Sequence, residues 1–188
     1  MNIITRIKGI IGNYFLKQEM GGLSRNREMV SLADAKTIGI VFEASDKEEF
    51  ELVKKYVLYL REQKKKVKAI GYFSGGETPA FTFSKLEYDF FSKKDLNWYF
   101  KPNDKFVRNF IQEEYDILID LNIHGHFAMK YVSGTSKARF KVGQHRKEDE
   151  TIFDLMIEGT EDKGLKFYLR QVDIYLQMLN KEKPERNA

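Results

Sequence analysis

The sequence predicts a Rossmann-like three-layer α/β/α domain with a mostly parallel sheet, preceded by an N-terminal amphipathic helix. Three observations carry this. Short, nearly continuous apolar runs at Thr37–Phe42, Val67–Phe73 and Tyr115–Leu121 are the pattern of strands covered on both faces. Segments with apolar residues at helical spacing alternate with them, which places helices on the faces of a parallel sheet. The 188 residues, 42% hydrophobic and 32% charged, suffice to bury roughly 70% of the unfolded chain's surface, so the core needs no disulfide or metal.

Residues 2–18 set Ile3, Ile4, Ile7, Ile10, Ile11, Tyr14 and Phe15 on a helical stripe that Gly21-Gly22 ends. This arm, residues 1–22, is open to three roles. It packs on the domain's own sheet, it contacts a protein partner or a second copy, or it attaches to a membrane surface with Arg6, Lys8 and Lys17 supplying positive charge. A polar stretch through Ser24 and Arg27 leads to the domain proper, residues 37–180.

The first strand is followed by Ser45 and Glu48, which read as a capping box, and by a helix with Phe50, Val53, Val57 and Leu60 on its inner face. Lys64-Lys65-Lys66 reads as a solvated helix end favoured by the dipole, and Val67–Phe73 as the second strand. This is one βαβ unit, hence parallel strands. Ser74-Gly-Gly-Glu-Thr-Pro79 is a loop by composition. The aromatic-rich stretch 81–101, with Phe81, Phe83, Tyr88, Phe90, Phe91, Trp98, Tyr99 and Phe100, is expected to pack on the core and form a covering loop. Asn103 is the expected cap of a short helix with Phe106, Val107, Phe110 and Ile111 on its apolar face. Beyond the strand ending at Leu121, residues 126–135 read as helical, Ala138–Val142 and Thr151–Ile157 as strands, and about Asp162–Asn180 as a last helix. The polar tail, residues 181–188, is expected to fray.

The chain has no cysteine, which excludes disulfide frameworks, thiolate zinc sites, iron–sulfur clusters and cysteine nucleophiles, and makes a reducing compartment the default. No apolar run approaches the ~20 residues of a membrane span, and Arg6 and Lys8 interrupt any signal-peptide core. A cytoplasmic location is expected. The net charge of +4 arises from 32 basic and 28 acidic side chains that are interspersed, so a nucleic-acid or ribonucleoprotein partner has only weak support.

Candidate chemistry gathers where strands end, the place ligands occupy in open α/β sheets. Glu43, Ser45 and Asp46 follow the first strand, Ser74, Gly75 and Gly76 the second, Asn122, His124 and His126 the third long run, and His145 the next. These ten residues are the candidate ligand-binding set. Neither glycine-rich phosphate motif occurs at Ser74–Pro79. His124 and His126 form an H-x-H pair with chelating potential, which a third histidine or a carboxylate such as Glu43 would complete; an H-x-H pair also arises in ordinary surface turns, so no metal and no cofactor is assigned. Asp120 is a structural carboxylate or an acid–base group. No nucleophile is identifiable, and no catalytic residue is assigned.

Tyr115-Asp-Ile-Leu-Ile-Asp-Leu-Asn122 followed by Tyr131-Val-Ser-Gly-Thr-Ser-Lys-Ala-Arg-Phe-Lys-Val-Gly143 resembles the N-terminal domain of heptosyltransferase-type glycosyltransferases of the two-domain GT-B kind. The resemblance covers about 30 residues, where a strand ending in Ile-Asp-Leu leads through a helix to a Ser-Gly-containing segment. Those enzymes resemble two facing Rossmann-like domains, the second holding most of the sugar nucleotide, with a Gly-Asp after the first strand as base. Here that place reads Glu43-Ala-Ser-Asp-Lys47, with Asp46 in the helix cap. The same stretches, with Phe91-Ser-Lys-Lys-Asp-Leu-Asn-Trp98 and Phe153-Asp-Leu-Met-Ile157, are similar to a small bacterial family of single-domain proteins of unknown function. The expectation is a non-catalytic binding or assembly module using the N-terminal helix for a protein partner or self-association. The alternative is a small enzyme or sensor that binds a nucleotide, sugar nucleotide or phosphate at the carboxyl edge of the sheet.

Overall fold

A computed structural model describes residues 3–75, 88–158 and 163–179. Helix α1 (Ile3–Gly21) is followed by β1 (Thr37–Glu43), α2 (Lys47–Glu62), β2 (Lys66–Phe73), β3 (Asp89–Ser92), α3 (Lys105–Gln112), β4 (Ile117–Leu121), α4 (Phe127–Thr135), β5 (Phe140–Gln144), β6 (Leu155–Ile157) and α5 (Gly164–Met178). The six strands are parallel throughout and lie in the order β3-β2-β1-β4-β5-β6. That order is the doubly wound one of Rossmann-like folds, and it reverses between β1 and β4.

Strand periodicity of two sorts side chains into separate cores. On one face Ile38, Ile40 and Phe42 pack against Phe50, Val53, Val57 and Leu60 of α2 and against Leu165, Tyr168, Val172 and Leu176 of α5. On the other, Val41, Ile70 and Leu118 meet Val107 and Phe110 of α3 and Met129 and Val132 of α4. Each such buried side chain contributes about 1.5–3 kcal/mol. At the amino ends of the central strands Asp116 acts as a staple. Its Oδ2 accepts from the backbone amides of Lys36 and Thr37 at 2.7 and 3.0 Å, and its Oδ1 accepts from Arg139 at 2.8 Å. Burial pushes the carboxyl up, but these donors outweigh it and hold the group below the ordinary carboxylate range.

Several expectations shift. The cap of α2 is Asp46, whose Oδ1 accepts from the Glu49 amide at 2.8 Å, not Ser45 with Glu48; the helix starts one residue later than the box requires. For the same reason Asp104, accepting from the Phe106 amide at 2.6 Å, caps α3 in place of Asn103. Lys64 takes a positive φ of 63° after α2, and Lys65 Nζ donates to the carbonyls of Ala33 and Ala35, so this lysine holds the entry to β1. The aromatic stretch contributes the edge strand β3, with Phe91 buried and Trp98 exposed; Phe81 and Phe83 lie outside the described residues. Strand β5 begins and ends two residues later than expected, β6 is confined to Leu155–Ile157, and Phe106 is exposed. The tail, residues 181–188, also lies outside the described residues.

Helix α1 packs on α4 and the Trp98–Tyr99 turn rather than directly on the sheet. Leu16 is buried with Tyr131, Ile152 and Phe153, Phe15 stacks on Tyr99 with ring centroids 4.8 Å apart, and Lys101 Nζ meets Glu19 at 2.6 Å. Gly12 sets the approach, since a Cβ there would fall 2.5 Å from the Tyr99 carbonyl oxygen. The linking segment is itself anchored: Arg25 pairs with Asp154 at 2.7 Å, and Val30, Leu32 and Ala35 are buried.

Two glycines of one helix therefore respond in opposite ways to the same substitution. Gly9 has open space around its Cβ position, so Gly9→Ala gains about 0.5–1 kcal/mol of helix propensity. Gly12→Ala loses that gain to the clash with the Tyr99 carbonyl and lowers the melting temperature. Thermal denaturation of the two variants checks the pair.

Candidate functional site

The reversal between β1 and β4 opens the carboxyl edge of the sheet, because the connections leaving the two strands run to opposite faces. β1 ends in Glu43, paired in register with Tyr72 at the end of β2. β4 ends at Leu121 and continues into a loop that turns back at Gly125, where φ is +75°, before α4 begins. Asn122 builds this loop. Its Oδ1 accepts from the His126 amide at 2.7 Å while its Nδ2 donates to the His126 carbonyl at 2.9 Å. Arg146 holds the loop from the β5 side, donating from Nη2 to the carbonyls of Asn122 and Ile123 and to Gln144 Oε1, at 2.6–2.9 Å.

The loop brings His126 Nε2 to 3.0 Å from Glu43 Oε1, with the imidazole 5.4 Å from the Tyr72 ring. His124 is more exposed and lies between two carboxylates, 3.8 Å from Glu43 Oε2 and 3.7 Å from Glu49 Oε2. Burial pushes the Glu43 carboxyl up, but the hydrogen bond and charge of His126, the Ser45 hydrogen bond and the charge of His124 outweigh it, so the group lies below its ordinary range. Glu49 moves the other way: burial raises it, and the charges of Glu43 and Asp46 add to the rise against His124. Burial, with the Glu43 charge, also raises the Tyr72 phenol. Two neighbouring carboxylates are thus driven apart, one firmly ionised and one easier to protonate.

His124 borders two open clefts. One, of about 490 Å³, lies between the N-termini of α2 and α5 and is lined by Glu43, Asp46, Glu48, Glu49, Lys163 and Lys166. The other, of about 810 Å³, lies beside the N-terminus of α4, with Lys17 of α1, Lys130, Arg146 and Lys147 among its walls together with the carboxylates Glu148, Asp149 and Glu150. Lys130 is paired with Asp149 there. The helix ends differ in what they offer. The α2 end is occupied by its own carboxylates, Asp46, Glu48 and Glu49; the α4 and α5 ends have no side-chain cap, so their amides keep the anion-attracting character of a helix N-terminus.

Of the ten candidate residues, Glu43, Ser45, Asp46, Asn122, His124 and His126 come together here. His145 does not. The later end of β5 pairs its amide with the Ile157 carbonyl at 3.0 Å and puts its Nδ1 3.7 Å from Glu158. Ser74 and Gly75 are exposed beyond β2, and Gly76 lies outside the described residues. Among the described residues no group of three or more His, Cys, Asp or Glu side chains is arranged to hold a metal ion. Glu49, Tyr72 and Arg146 belong to the site without having been singled out from sequence.

Beneath the cluster Asp120 is fully buried, its Oδ1 accepting from the Asn122 amide at 2.7 Å, while Tyr168 donates to its carbonyl at 3.0 Å. Burial pushes its carboxyl from 3.8 up to about 6, against the Ser133 and Asn122 donors and the Arg146 charge. A raised value means that ionisation costs stability. The cost is absent below the unfolded value, grows as pH rises from 3.8 to about 6, and is full above that. Asp120→Asn removes it, so the variant gains up to about 2–3 kcal/mol relative to the parent at neutral pH and nothing in acid. Urea denaturation of both chains at acid and neutral pH measures the difference.

The model of a family described as a family of unknown function (DUF6913) matches residues 8–179, and the chain belongs to that family. No curated protein matches it.

Proposed function

We propose that this DUF6913 chain is a binding module that holds a small phosphorylated, hydroxyl-rich ligand, of the sugar phosphate, nucleotide or sugar nucleotide kind, across the carboxyl edge of the sheet. The observation that carries the reading is the different charge balance of the two clefts that share His124: four carboxylates against two lysines beside α2, and four basic side chains against three carboxylates beside α4. An anionic end fits beside α4, where uncapped amides and the side chains of Lys17 and Lys147 lie. Hydroxyls fit beside α2, where Glu43 and Glu49 accept hydrogen bonds and like charge repels phosphate. The ligand so oriented is inverted relative to the usual dinucleotide mode, in which the first helix receives the pyrophosphate. The sequence resemblance to a sugar-transferring family supports a ligand rich in hydroxyls.

A thermal-shift panel of sugar phosphates, nucleoside diphosphates, sugar nucleotides, inorganic phosphate and divalent cations tests this. At 100 times its Kd a ligand stabilises by about 2.7 kcal/mol, a rise of roughly 5–10 °C for a chain of this size. The phosphorylated sugars or nucleotides are expected to give it, and Glu43→Gln to reduce it. A panel in which none of them raises the melting temperature contradicts the reading.

A further inference from the structure

Helix α1 is packed with its most apolar face outward. Gly12 and Leu16 are buried against the body of the domain, whereas Ile3, Ile7, Ile10 and Tyr14, spaced at four, three and four residues, are all at least half exposed, as is Ile4 beside them. In a helix that turns ~100° per residue, these side chains form a stripe opposite the Gly12–Leu16 face. The cations lie along the two borders of the stripe, Arg6 and Lys17 on one side and Lys8 on the other. Residues 3–18 contain no acidic side chain, and the first, Glu19, is paired with Lys101. Trp98, also exposed, stands next to the helix: its ring meets Tyr99 edge to face, and Tyr99 packs on Phe15.

We propose that α1 lies in the plane of an anionic lipid surface, its isoleucine stripe in the boundary between headgroups and acyl chains and Arg6, Lys8 and Lys17 on the lipid phosphates. An apolar stripe bordered on both sides by Lys and Arg is the arrangement of interfacial helices, whose long cationic side chains reach back to the headgroups, and an indole alongside suits the same depth. Charge decides between this surface and a second copy of the chain. Two copies meeting along the stripe bring Arg6 and Lys8 together with no acid in the helix segment to pair with them, while an anionic surface complements all three cations. None of the described helices is long and apolar enough to cross a membrane, so contact is in the plane. The inference shares Lys17 with the cleft beside α4, while the isoleucine stripe, Arg6 and Lys8 lie outside that cleft and carry it without the ligand proposed for the sheet edge.

Co-sedimentation of the full chain with phosphatidylcholine vesicles, with and without phosphatidylserine, tests it. The chain is expected to pellet with the anionic vesicles only. Ile7→Asn with Ile10→Asn keeps the charge and alters two exposed side chains, so circular dichroism stays unchanged while binding falls roughly tenfold or more. Arg6→Gln and Lys8→Gln each weaken binding about fivefold. A chain that stays in the supernatant, or that pellets equally well with both isoleucines replaced, overturns the proposal. So does a solution mass of two chains, by light scattering, that the double variant reduces to one, because the stripe then belongs to a second copy.

Discussion

The pairing of β1 with β4 is the constraint on which the rest of the molecule depends. These strands are separated in sequence by α2, β2, β3 and α3, yet they lie side by side from Ile38–Ile117 to Phe42–Leu121. Asp116 fastens their amino ends by accepting from Lys36 and Thr37 and by binding Arg139 at the head of β5. Beyond the last pair, Phe42–Leu121, the connections diverge, since the chain leaves β1 for one face and β4 for the other. Glu43 and the Asn122–His126 loop face each other across that divergence. A long-range backbone ladder thus sets a 3.0 Å contact between His126 and Glu43 that no local sequence rule specifies.

The electrostatics of the edge follow from which helix end carries its own acids. In the usual dinucleotide fold the first helix presents bare amides to a pyrophosphate. Here Asp46 consumes an amide at that end, and Glu48 and Glu49 complement the dipole. An uncapped helix end lies across the switch at α4, where Asn122 binds the backbone of His126 rather than the helix amides. The loop geometry is therefore as consequential as the charges.

Much of this was legible in the sequence where a local period carried it. The buried runs at Thr37–Phe42 and Tyr115–Leu121, the inner face of α2 and the parallel class all follow from patterns within single segments. Cap positions were less secure, because Ser45 and Asp46, like Asn103 and Asp104, are adjacent residues of equal capping chemistry. Strand β3 has four residues inside an aromatic stretch, too few for a period to register. At the site, Glu43, His124 and His126 were legible as strand-end polar groups. Tyr72 required the β1–β2 register, Glu49 the start of α2 at Lys47, and Arg146 the fold, since it acts on a loop more than 20 residues before it. His145 failed as a member because a two-residue shift of β5 moved it to the β6 side. The stripe of α1 was legible as apolar, but its outward direction was not: the small residue at Gly12 on the opposite face lets the domain take that side instead.

The ligand we propose lies over the β1–β4 switch, and the three histidines report on that edge directly. Two of them, His124 and His126, flank Glu43, and His145 faces Glu158. Their imidazole carbon-bound protons can be followed by NMR while a sugar phosphate, a nucleoside diphosphate and a sugar nucleotide are each added in turn. The account predicts that at least one of the three compounds moves the His124 and His126 signals saturably and leaves His145 in place. Movement of His145 alone, or no movement of His124 and His126 with any of the three, would contradict it.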